Sequence, residues 1–130
     1  MSIIAKNEIL ERLNKQGDDS IIVTPILDKK RQINQIGIDC RLGNQFLILK
    51  TQNVDAYDLN NEKYEKKFKF YKEIVIPFGM PFVLHPHAIV LGCTFEYISL
   101  PNNVIASIEG RSSWARLGLI IATAAYIDPG

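Results

Sequence analysis

Helical periodicity in this chain is confined to one stretch near the N-terminus. Across residues 6–16, Ile9, Leu10 and Leu13 fall on one helical face, and Gly17 supplies a stop. From Ile21 onward the apolar residues recur at every second position, the spacing of strands whose side chains alternate between faces. Ile21-Ile22-Val23-Thr24 leads to Pro25, and a polar loop runs from Asp28 to Gln35. In Ile36-Gly37-Ile38-Asp39-Cys40-Arg41-Leu42 the alternation sends Gly37, Asp39 and Arg41 to the face opposite the apolar set. Gly43-Asn44 reads as a turn, and residues 45–50 as another strand. Further strand signals lie at 73–77, 81–84, 88–100, 104–108 and 119–127, with Gly79, Pro86, Gly92 and Pro101-Asn102-Asn103 as punctuation. Many short strands after one short N-terminal helix predict a mainly β domain, a small barrel or sandwich.

Composition narrows what such a domain can do. A length of 130 residues suits one domain, here read as residues 1–130, with a single useful core. Fifteen basic against 14 acidic residues leave a net charge of +1, which argues against a protein that coats nucleic acid or an anionic membrane. Apolar runs are too short to span a bilayer, and Met1-Ser2-Ile3-Ile4-Ala5-Lys6 lacks the order of a signal peptide. A soluble cytoplasmic protein is expected. Residues 51–72 form a polar insert rich in Asn, Lys and Tyr. Its end, Lys66-Lys67-Phe68-Lys69-Phe70-Tyr71-Lys72, interleaves cations with aromatics as single-strand binders do. Lysines that guard an exposed sheet edge account for it better, because Glu62, Glu65 and Glu73 dilute the charge. Cys40 and Cys93 sit in apolar runs and read as reduced core residues. His85-Pro86-His87 reads as a bend, without the neighbouring Cys or carboxylate that a zinc shell needs.

Chemistry concentrates in Glu109-Gly110-Arg111-Ser112-Ser113-Trp114-Ala115-Arg116-Leu117-Gly118. Gly110 permits close backbone approach, and Arg111 carries a planar fork suited to phosphate oxygens. Ser112 and Ser113 are favoured helix N-caps, and a turn through Trp114 to Arg116 offers free amides to an anion. Arg116, four residues after Ser112, returns to the same side of such a turn. Taken alone, Arg-Ser-Ser is a weak motif that reads first as a capped turn with surface arginines. Asp39, close to Arg41, reads first as its structural ion-pair partner or that of an interface residue.

Set in order, Gly37-Ile38-Asp39-Cys40-Arg41-Leu42-Gly43, the 109–113 loop and Ile127-Asp128-Pro129-Gly130 resemble the dCTP deaminase family, a branch of the trimeric dUTPase superfamily. Val90-Leu91-Gly92, Thr94-Phe95-Glu96-Tyr97 and Leu100-Pro101-Asn102-Asn103 extend the resemblance, as do the opening helix and the Thr24-Pro25 strand. It covers most of the chain except the 51–72 insert. The resemblance implies a dUTPase-like β-barrel (β-clip) subunit in a homotrimer with active sites shared between neighbours. It implies deamination of dCTP to dUTP and ammonia without zinc, with magnesium carried mainly by the substrate triphosphate and no protein metal ligands. dUTP and dTTP are the further nucleotides it suggests.

By position, Arg111, Ser112, Ser113 and Arg116 match residues that hold the triphosphate or order the catalytic centre. Ser112 and Arg116 also match groups around the attacked cytosine carbon. The Ala124 carbonyl matches one that orients the water, and Asp128 lies where the superfamily meets the deoxyribose. Tyr126 stands on the strand that makes base or phosphate contacts, where the family often has Arg or His. Trp114 replaces a commoner leucine and reads as core or interface packing. In the family a catalytic Glu follows the Asp-Pro-Gly, whereas the sequence here stops at Gly130. The expectation is therefore a longer protein, since stopping there would leave barrel strands unpaired. The same triphosphate cradle serves dUTP hydrolysis to dUMP, alone or after deamination, and also a nucleotide-binding module without catalysis.

Overall fold

A computed structural model describes residues 2–49, 71–122 and 126–130. The chain divides into two compact units, residues 1–39 with 96–130, and residues 40–95.

The first unit opens with helix α1 (Lys6–Asn14), which turns Ile9 inward and leaves Leu10 and Leu13 half-buried. Gly17, at φ +103°, then takes the left-handed conformation the turn needs. β1 (Ile22–Thr24) pairs antiparallel with β5 (Tyr97–Ser99), in the register Ile22 to Ser99 and Thr24 to Tyr97. The Thr24–Pro25 peptide is cis. Asp28 caps the short helix α2 (Lys29–Gln32): its carboxylate accepts from the amides of Lys30 (3.0 Å) and Arg31 (3.2 Å). Ile21, Val23, Leu100 and Val104 form the core, with Leu13, Ile98 and Ile127 packed on them. Each such side chain, fully buried, contributes about 1.5–3 kcal/mol.

The C-terminal residues return along the 100–106 segment. Ala106 and Ile127 exchange two backbone hydrogen bonds (3.2 and 2.6 Å), as do Leu100 and Gly130 (3.4 and 3.1 Å). A polar chain ties α1 to the Pro101–Val104 turn. Arg12 donates to Glu8 and to Asn103, and Asn103 donates in turn to Asp19, which also receives Lys15. The Lys15 hydrogen bond and charge, assisted by Arg12 and Asn103, hold the Asp19 carboxyl below its ordinary range.

The second unit is a three-stranded antiparallel sheet with β2 (Leu42–Leu49) between β3 (Tyr71–Val75) and β4 (Val90–Thr94). Phe46 is its buried centre, opposite Ile74 on one side and Gly92 on the other, and stacks on Phe82 at 4.3 Å between ring centroids. The guanidinium of Arg41 lies over the Phe95 ring at 4.8 Å, and the Phe95 amide donates to the Arg41 carbonyl (2.8 Å). His85-Pro86-His87 forms a turn closed by the Ala88 amide donating to the His85 carbonyl (3.1 Å).

The mainly β reading holds, with two antiparallel sheets and short helices; closure into a barrel is not seen among the described strands. Several local expectations are corrected. The alternating run 36–42 is not a strand, and only Leu42 enters β2. Its backbone bonds turn back on themselves: Asn34 donates to the Gly37 carbonyl (2.9 Å) and Asp39 to that of Gln32 (2.7 Å), leaving no ladder for 36–39. Ile36 and Leu42 are accordingly exposed.

Gly43-Asn44 is no turn but lies inside β2, where the register shifts between Leu42 and Phe46. A Cβ on Gly43 would stand 3.1 Å from both the carbonyl oxygen and Sγ of Cys93 and 3.3 Å from the Thr94 oxygen. An added methyl there would crowd β4, two of the three contacts being backbone oxygens, so glycine eases the close passage of the two strands. Cys40 and Cys93 form no disulfide and are exposed, not core; Cys93 lies in β4 and Cys40 just ahead of β2. Of the 51–72 insert only Tyr71 and Lys72 are described, both in β3; Lys66 to Phe70 lie outside the described residues. No helix among the described residues is long and apolar enough to cross a membrane.

Candidate functional site

The loop after Gly110 leads into helix α3 (Ser112–Ala115). The amides of Trp114 and Ala115 donate to the Arg111 carbonyl (3.0 and 3.1 Å), and that of Arg116 to Ser112 (3.1 Å). The Ser112 and Ser113 amides therefore precede the first intrahelical donor. The helix closes with the Gly118 amide donating to Ala115 (3.0 Å) and that of Leu119 to Trp114 (3.1 Å), with Gly118 at φ +89°. That pairing is a Schellman close, which requires a left-handed residue where glycine stands.

The structure bears on three sequence expectations here. The N-cap is Arg111, with no side-chain cap bond, so Ser112 and Ser113 lie within the first turn and their hydroxyls stay exposed. A Cβ on Gly110 would reach Ile121 at 3.4 Å, an ordinary contact, so this chain alone imposes no tight approach there. Trp114 is exposed and not core, because a four-residue helix has no covered face to bury it.

Asp39 pairs with Arg111, not with Arg41: Arg111 Nη2 donates to Asp39 Oδ2 in a short charge-assisted contact. This contact joins Asp39 to the loop ahead of α3 across 72 residues of sequence. One nitrogen of the guanidinium is committed to Asp39, which leaves the rest of the fork for an incoming anion. Ser112, Ser113 and Arg116 lie exposed on the same short turn, so one segment carries two guanidiniums and two hydroxyls.

Behind Asp39 lies a polar group that sequence reasoning missed. Gln32 is buried at the end of α2. Its Oε1 accepts from the amides of Leu27 (2.8 Å) and Asp28 (3.0 Å). Its Nε2 donates to the Asp39 carbonyl (3.2 Å) and to Glu96 Oε1 (3.0 Å), a carboxylate only 3% exposed. The available signal was Glu96 itself, a carboxylate set in the apolar run 94–98 that needs a buried partner.

Tyr126 and Asp128 are exposed on the returning C-terminal segment, and among the described residues neither bonds to α3. Ala124 lies outside the described residues. No group of three or more His, Cys, Asp or Glu side chains suited to a metal occurs among the described residues.

Residues 3–130 match a family model described as dCTP deaminase-like. A dCTP deaminase of Haloarcula marismortui is 40% identical over 98% of this chain and 64% of its own length. A dUMP-forming dCTP deaminase of Halobacterium salinarum is 36% identical over 98% of this chain and 64% of its own. One from Dictyoglomus thermophilum, also dUMP-forming, is 39% identical over 87% and 57%. The chain thus spans roughly three-fifths of the length of these relatives.

Proposed function

The chain belongs to the dCTP deaminase-like family, and on that premise we propose that the protein hydrolytically deaminates dCTP, converting its 4-amino group to a carbonyl with release of ammonia. The observation that carries this reading is the pairing of Asp39 with Arg111 at the head of α3. It fixes one guanidinium beside Ser112, Ser113 and Arg116, a donor set matched to a triphosphate and composed of residue types that do not bind zinc. Magnesium enters with the substrate, held by its phosphates. Arg111, Ser112 and Ser113 bind and orient the phosphates, while Ser112 and Arg116 face the reacting end of the nucleotide. The Ala124 carbonyl orients water, and Tyr126 and Asp128 contact base and sugar. Attack of water on C4 needs a group to accept its proton and return protons to N3 and the departing amine; none of these 130 residues is assigned that role.

A second reading has its own support. The Halobacterium and Dictyoglomus relatives are named dUMP-forming, so deamination followed by loss of diphosphate is the alternative to release of dUTP. The same cradle would then stabilise charge on the phosphates during attack of a second water. Assembly as a homotrimer completes the reading. Ile36, Leu42, Trp114, Leu117 and Ile120 are large exposed apolar side chains that a second copy would cover.

The decisive experiment incubates protein from the complete open reading frame with dCTP and magnesium and assays ammonia, diphosphate and nucleotides. Ammonia with dUTP is the expected result, and ammonia with dUMP and diphosphate selects the second reading. Bound dCTP without ammonia overturns both and leaves a binding module.

A further inference from the structure

The carboxamide of Gln32 has four hydrogen-bonding capacities, and all four are used inside one unit of the fold. Two go to the Leu27–Asp28 backbone, one to Glu96 and one to the Asp39 carbonyl. The main chain of Gln32 adds a fifth contact, accepting the Asp39 amide at 2.7 Å. Both backbone polar groups of Asp39 are therefore bonded to the same buried residue. The Asp39 side chain, by contrast, is partly exposed and ends on Arg111.

We infer that Gln32 is a positioning residue for nucleotide binding: it fixes the Asp39 backbone, so that the Asp39 carboxylate aims the Arg111 guanidinium at the triphosphate. This rests on the reading that the Arg111–Ser113 loop binds phosphates. Other side chains fit the position poorly. Glutamate would set a carboxylate oxygen against Glu96 and the Asp39 carbonyl, and asparagine is one methylene short of its partners. A flexible arginine gains affinity when its fork is held in place before the anion arrives, since less freedom is lost on binding.

The test is a double-mutant cycle on the complete protein, with Gln32→Met, Asp39→Ala and their combination. Dissociation constants are measured for inorganic triphosphate with magnesium and for dCTP, beside melting temperatures. Gln32→Met is expected to weaken both ligands about five- to ten-fold, and to weaken them less than two-fold further when the Asp39 carboxylate is already gone. If Gln32→Met does not fold, Gln32→Asn enters the same cycle. The inference is overturned if the Gln32 variant binds triphosphate within two-fold of wild type. It is equally overturned if the same factor is lost with and without the Asp39 carboxylate, which would mark a structural role alone. Arg111→Ala serves as the control on the premise. A loss of ten-fold or more in triphosphate affinity upholds the phosphate loop, while no loss removes that reading and the inference with it.

Discussion

Replacing Gly43 by alanine tests whether the β2–β4 crossing, rather than a turn, dictates glycine there. In an ordinary strand the change would stabilise by about 0.4–1 kcal/mol, because alanine has fewer unfolded conformations to lose. Here the new methyl would meet Cys93 O and Sγ at 3.1 Å and Thr94 O at 3.3 Å. Two of those atoms belong to the backbone of a paired strand and cannot swing aside. Overpacking of this kind costs about 1–3 kcal/mol, so the net expectation is a loss of about 1–2 kcal/mol.

Gly92→Ala, in the same strand pair, is the internal comparison. Its methyl would meet Leu42 Cδ1 at 3.2 Å and the edge of Phe46 at 3.4 Å. Leu42 is exposed and free to change rotamer, so this variant should stay within about 0.5 kcal/mol of wild type. Native-state hydrogen exchange of the β2 and β4 amides, at fixed protein concentration, reads the opening of this sheet directly. Protection in Gly43→Ala equal to wild type, or a larger loss in Gly92→Ala, would refute the steric argument.

Two further outcomes follow from unit one. Asp28→Ala removes the acceptor for two α2 amides and should cost about 1 kcal/mol in urea unfolding, with an unchanged m value. Asp19 has a folded pKa below its unfolded one, so its pairing stabilises above about pH 4 and the benefit is lost as pH falls through the folded value. Carboxyl NMR titration should show Asp19 rising toward the ordinary range in Lys15→Ala, with acid unfolding losing its Asp19 contribution.

The sequence made visible those elements whose causes are local. Helix α1, β1 and the turn at His85–Ala88 all follow from periodicity, prolines and glycines read over a few residues. Alternation in 36–42 named two faces but not a hydrogen-bonding partner, and the backbone there bonds to α2 and the 33–38 turn instead. Gly43 looked like a turn because sequence reports conformational permissiveness and is silent on the strand that passes close by. Arg111, Ser112, Ser113 and Arg116 were legible as a cluster because they are contiguous. Their support was not: Asp39 lies 72 residues from Arg111, and Gln32 lies 64 from Glu96. Gln32 sits in a polar segment, and the one hint of a buried polar partner was Glu96, far along the chain.

The chain crosses between its two units at the Asp39–Cys40 and Phe95–Glu96 bonds. Each pair of flanking residues is stitched on its own side, Arg41 to Phe95 by a backbone hydrogen bond and Asp39 to Glu96 through the single carboxamide of Gln32. Residues 40–95 are thus an insertion whose two ends are closed independently of what lies between them. Lengthening or shortening the interior changes the closure entropy only logarithmically, and the stitches remain. Insertions or deletions within it therefore spare the Gln32 contacts that hold Asp39 and Glu96, which lie wholly in the other unit.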